Sequence, residues 1–196
     1  IPATSSLTVV AVSADVAVSG VNGVQRLQTV SGDLVTTVGK EDVECKTVSG
    51  DVKIGGRGER GRLTLNTVSG DATVTKVAGE INANTVSGEL RIEAVEAQRS
   101  RLRSTSGDLS LTATLPADAR IDAESISGNV ELLLQGGGNA EFDVSSFNGD
   151  IENCFGPKAS RTDEYAPGRE LRFRQGDGSS RVRIKTLNGN IRLCQP

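Results

Sequence analysis

The chain is predicted to be all-β, a single-stranded parallel β-solenoid of about nine coils with a cap at its C-terminal end. Three observations predict it. The phrase Thr-Val-Ser-Gly-Asp recurs at Thr29–Asp33, Thr47–Asp51 and Thr67–Asp71, with Glu89 for the Asp at Thr85–Glu89, and more loosely beyond. Its glycines, at 32, 50, 70, 88, 107, 128, 149 and 189, are 18, 20, 18, 19, 21, 21 and 40 residues apart, and Ala14 holds the same place in an earlier copy. Apolar residues alternate with period two on both sides of each glycine, the pattern of two short half-buried strands.

Each coil can be written outward from its glycine. Position −5 is apolar (Leu27, Leu65, Ala83, Leu102, Ala123, Val144, Ile184, with Cys45 in the second glycine copy), −3 is Thr or Ser, and −2 is usually apolar. After the glycine come Asp, Glu or Asn at +1 and an aliphatic at +2. Ser-Gly-Asp makes a corner, because glycine tolerates positive φ and the short polar side chains bond nearby backbone. A second turn falls near Val38-Gly39-Lys40, Ile54-Gly55-Gly56, Val77-Ala78-Gly79 and Leu115-Pro116-Ala117-Asp118. No helix is signalled.

The whole of residues 1–196 reads as one domain: regular coils over about 7–154, an insertion and hairpin over 155–185, and a last coil at 186–194. All four Phe and the single Tyr165 lie after residue 140, so bulky side chains are expected to close that end. Within 155–185, Gly156 to Arg169 reads as the insertion. Leu171–Arg174 and Arg181–Lys185 then flank a turn at 175–180, and the expectation is that they pair as a hairpin. Cys154 and Cys194 each stand five residues past a coil glycine. Equal offsets in adjacent coils, with strands ~4.8 Å apart, place them within disulfide reach. The bond would hold down the last coil, read here as having one coil neighbour. Cys45 is expected to be an inert core thiol.

Composition narrows the function. Net charge is −3 and aromatic residues are 3% of the chain, which gives no general attraction to nucleic acid and no stacking platforms for bases or sugars. No apolar run is long enough to span a bilayer. The absence of His excludes Ser-His-Asp and Cys-His catalysis and His-containing zinc sites. No cofactor is expected. A disulfide favours an oxidising compartment, so a periplasmic or extracellular, cell-envelope location is expected, with a signal peptide removed.

Three columns invite chemistry. Asp33, Asp51, Asp71, Glu89 and Asp108 at +1 would stack into an acidic ladder able to hold Ca²⁺, although such residues also suit the place after a corner glycine, and that reading is preferred. The Thr/Ser column reads as a hydroxyl ladder bonded along the coil in preference to an ice-binding face. Arg172, Arg174, Arg181, Arg183 and Lys185 would share one face of the hairpin, as an anion-binding surface or as a charged edge that discourages aggregation.

The repeated Thr-Val-Ser-Gly-Asp, with Leu-Pro-Ala-Asp-Ala-Arg-Ile-Asp-Ala-Glu-Ser-Ile-Ser-Gly-Asn-Val at Leu115–Val130, resembles a bacterial family of β-strand-repeat domains labelled adhesins and of unknown function. The resemblance runs from about Val9 to Leu193. It implies a right-handed parallel β-solenoid, exported or attached to the envelope, and carries no catalytic or ligand residues. The expectation is a non-enzymatic envelope scaffold or interaction module whose faces meet a partner protein or cell-wall polymer. Two other readings stay open: a scaffold polymerising through its solenoid ends, similar to the bactofilins, and a polysaccharide-active β-helix enzyme.

Overall fold

The computed structural model describes residues 5–136, 138–161 and 167–196. Tyr165 and part of the expected insertion between Gly156 and Arg169 lie outside the described residues. Secondary structure among the described residues is all strand, and no helix is long and apolar enough to cross a membrane.

Each copy of the repeat forms one strand before its corner and one after. The first coils contribute β1 (Leu7–Ser13) and β2 (Val16–Val18), β3 (Gln25–Ser31) and β4 (Leu34–Val38), and β5 (Val43–Ser49) and β6 (Val52–Gly56). β7 (Arg60–Ser69) follows, then β8 (Ala72–Ser87) and β9 (Leu90–Ser106), which run unbroken from one corner to the next. The turn expected at Val77-Ala78-Gly79 is therefore a bend within a strand, made by Lys76 at φ 55°, Gly79 at φ 103° and local register shifts. β10 (Leu109–Thr114), β11 (Arg120–Ser127) and β12 (Val130–Gln135) restore the two-strand pattern.

The corner explains the glycines. At Gly32, Gly50, Gly70 and Gly88, φ lies between 113° and 124°, which L side chains rarely adopt. A Cβ on Gly50, Gly70 or Gly88 would also strike the carbonyl oxygen of the glycine in the coil before it. Ala14 is tolerated because the first coil has no corner beneath it: β1 pairs with β3 alone, and β2 with β4 alone. The apolar columns face inward. Leu27, Cys45, Leu65, Ala83, Leu102, Ala123, Val144 and Ile184 form one continuous buried column, with Leu34, Val52, Leu90, Leu109 and Val130 opposite.

The order of coils departs from the chain at the C-terminal end. Here the strands are β13 (Ala140–Asn148), β14 (Ile151–Asn153), β15 (Ser160–Arg161), β16 (Arg169–Arg174), β17 (Ser180–Asn188) and β18 (Ile191–Cys194). The last coil is not terminal. β17 pairs in parallel with β11 on one side and β13 on the other, and β18 lies likewise between β12 and β14. Corner bonds agree: Gly128 N–H donates to Asn188 O, and Gly189 N–H donates to Asn148 O, both at 3.0 Å. The expected hairpin does not form. β16 instead pairs antiparallel with the outer edge of β13, and β15 pairs with β16. Alternating Arg and apolar residues suit any partner strand, so the pattern fixed which faces β16 and β17 show but not what lies beside them. The aromatic closure is present in part: Phe142 stacks on Phe173 at 4.5 Å between centroids and Phe155 lies 5.8 Å from Phe142, whereas Phe147 is exposed outside the cluster.

Candidate functional site

The repeat sorts most of the sequence-derived candidates into columns that run from coil to coil, some facing outward and some buried. Residues at +1 do stack, but their carboxylates serve the backbone. Asp15, Asp33, Asp51 and Asp71 each accept, at 2.8–3.0 Å, the N–H of the +1 residue one coil on. Asp108, Asn129 and Asn190 continue the series to Asn129, Asn190 and Asp150. Asn performs this role as well as Asp, so the column requires an acceptor oxygen rather than a charge. Glu89, one methylene longer, is drawn instead to Arg91 at 2.6 Å.

The Thr/Ser column is buried, but it is not a ladder of mutually bonded hydroxyls. Thr29, Thr47 and Thr85 donate to the carbonyl two residues on, at 3.2–3.4 Å. Ser146 and Thr186 donate to Gly189 O and Gly128 O of neighbouring coils. The hydroxyls of Thr67, Ser104 and Ser125 have no partner among the described residues.

Cys154 and Cys194 form a disulfide with Cα atoms 4.9 Å apart, continuing the register Ile151–Ile191, Glu152–Arg192 and Asn153–Leu193. The last coil already has two neighbours, so the bond ties down the true end coil, 140–154. Glu152 lies close to both sulfurs, but sulfurs bonded to each other offer no thiolate to a metal. Cys45 is fully buried, and burial pushes its thiol up to about 12.

The five basic residues assigned to one hairpin face do point outward, but on strands separated by β13. Acidic side chains of β13 stand between them. Asp143 lies 3.2 Å from Arg172 and 3.7 Å from Arg183, and Glu141 is 3.5 Å from Arg181. Alternating rows of opposite sign replace the expected bare cationic surface. The cationic excess lies further along the same sheet. There the register aligns Arg99, Arg120 and Arg181 on adjacent strands. Writing the residues eight before each glycine as a column (Val24, Asp42, Arg62, Glu80, Arg99, Arg120, Glu141, Arg181, with Arg181 next to Arg120 in space) would have found it.

A feature read only as "usually apolar" forms an exposed ridge that runs through all the coils. In spatial order the −2 column is Val12, Val30, Val48, Val68, Val86, Thr105, Ile126, Leu187 and Phe147. Its apolar members are exposed, from 44% at Val68 to 67% at Val12. At ~4.8 Å per coil the ridge runs roughly 40 Å. The phrase itself predicts this: with −5 and −3 facing the core, −2 must face out. Two separate, mainly apolar depressions flank the ridge, each with members of the Thr/Ser column in its lining: one is lined by Val30, Val48, Val68 and Lys46, and one by Phe147, Leu187, Lys185 and Arg169.

No curated protein and no solved structure matches the chain. Its repeat, its corners and its stacked parallel coils are accounted for by a family match that spans residues 1–194, and the chain belongs to the Toastrack DUF4097 family.

Proposed function

We propose that the protein is a non-enzymatic scaffold of the cell envelope, an interaction module that seats a partner protein along the −2 ridge. One observation carries this reading. Soluble monomers rarely expose long contiguous apolar patches, and those that exist mark interaction sites. Here one large apolar side chain per coil stands outward on nearly every coil, interrupted only by Thr105. A row that straight fits an extended aliphatic surface of a partner better than a compact ligand. An adhesin-like role and the attachment of a cell-wall polymer fit the same scaffold.

The other readings receive less support. A filament grown through both ends would have to displace β16 from the outer edge of β13. Glycoside chemistry needs two carboxylates free to act across one bond, whereas the +1 carboxylates are engaged by inter-coil amides. The disulfide supports an oxidising compartment.

A photo-cross-linking residue placed at Val48 or Val68, in cells that make the protein, tests the reading. Discrete protein adducts are expected from these positions and none from Lys53, which is exposed on the opposite strand of the coil. Equal adducts from all three positions, or none from the ridge, would overturn it.

A further inference from the structure

Across β9, β11 and β17 the outward residues read Arg99-Arg101-Arg103, Arg120-Asp122-Glu124 and Arg181-Arg183-Lys185. Arg120 stands directly opposite Arg99 on one side and Arg181 on the other. The two flanking arginines have acidic neighbours, Glu80 at 3.3 Å from Arg99 and Glu141 at 3.5 Å from Arg181. Among the described residues, no carboxylate lies within ion-pair distance of Arg120 or Arg101. Like charges facing each other across strands repel. A chain of net charge −3 that gathers guanidinium groups here has an arrangement suited to an occupying anion.

A depression lies at this point of the sheet. It is lined by Arg62, Arg99, Arg101 and Arg120, against two carboxylates, Glu80 and Asp122. Ser100 lines it too. Its column holds Ile81 and Ile121 in the neighbouring coils, and its buried hydroxyl has no hydrogen-bond partner among the described residues. A polar group set among aliphatics, under a cationic rim, is a second irregularity at the same place.

We propose that this field binds a chain of phosphate groups, with Arg101 and Arg120 as its principal contacts. Guanidinium forks present paired N–H donors that match phosphate oxygens two at a time. The cations repeat at ~4.8 Å from coil to coil and about 7 Å along a strand, a spacing for serial charges rather than one ion. No aromatic residue lines the depression, which argues against stacked bases. The site uses columns other than the ridge and stands whether or not the ridge seats a partner.

Isothermal titration at low salt with poly(glycerol phosphate) tests the proposal. Saturable binding is expected. The double variant Arg101→Ala/Arg120→Ala, checked for an unchanged melting temperature, should bind at least about tenfold more weakly and lower the log–log salt slope by roughly 1.5. Asp122→Asn should bind tighter. Arg91→Ala, in the strand segment on the other side of the corner, should bind as the parent does. Absence of saturable binding, or an equal loss in Arg91→Ala, would overturn the site. Polygalacturonate binding as tightly would overturn the assignment to phosphate, and an oligothymidylate binding as tightly would make the surface a nucleic-acid one.

Discussion

Coils up to residue 135 and coils after residue 140 obey the same repeat but not the same neighbourhood rule. In the first region every coil lies on the coil before it in the chain, from β1 under β3 to β10 under β12. In the second, the chain lays down 140–153, leaves through β15 and β16, and returns to place 186–194 underneath what it had just built. A repeat specifies the phase of a coil: which residues turn, which face in, which amide meets which acceptor. It does not specify which coil comes next, because every coil presents the same ladder of donors and acceptors. That sameness is what lets the last coil enter between two others and still complete the Asn129–Asn190–Asp150 amide series.

The largest effect that probes this comparison is steric. Gly70→Val should abolish folding or cost more than about 4 kcal/mol, since it combines positive-φ strain with collision against Gly50 O. Ala14→Val, at the corner with no coil beneath it, should cost less than about 0.5 kcal/mol. Thermal melts of the pair check both, and a parent-like Gly70→Val would remove the corner assignment.

Next in size is the disulfide. Replacing Cys154 and Cys194 with Ser should cost about 2–4 kcal/mol. The loosened segment should be 140–153, the coil with a coil neighbour on one side only. Limited proteolysis locates it, and cleavage confined to 186–194 would contradict the coil order. A thiol titration belongs with this experiment. At pH 8 the native, unreduced protein should show no reactive thiol, because the buried Cys45 thiol, with its pKa about 12, stays protonated; the denatured protein should show one.

Smaller effects sharpen the reading of the +1 column. Asp51→Ala removes the acceptor for the Asp71 amide and should cost about 1 kcal/mol. Asp51→Asn should be nearly neutral, since Asn129 and Asn190 do the same work elsewhere. Millimolar Ca²⁺ or EDTA should leave the melting temperature in place, and a saturable shift would restore the metal reading. Smallest of all, Val48→Lys should change stability by no more than about 0.5 kcal/mol while abolishing cross-links from the ridge.

Much of this was legible in the residues. The Ser-Gly-Asp corner, the inward −5 column with Cys45 in it and the offset that brings Cys154 to Cys194 all follow from counting, because solenoid geometry repeats residue by residue. The coil order did not follow: the 40-residue step from Gly149 to Gly189 reads the same whether the last coil is added outside or inserted inside. The hairpin reading failed for a related reason, since Leu171–Arg174 offers the same alternation to β13 as it would to β17. At the surface, the ridge and the Arg99–Arg120–Arg181 column carried a signal, but one visible only when whole columns are written out.

Amide hydrogen exchange, resolved by segment, tests the inserted coil most directly. If 186–194 lies between two coils, amides of 182–193 should be protected at least as well as those of 121–134, and better than those of 151–153, whose strand pairs with β18 alone. Exchange that is fastest in 182–193, with 151–153 well protected, would contradict the account and return the last coil to the end of the stack.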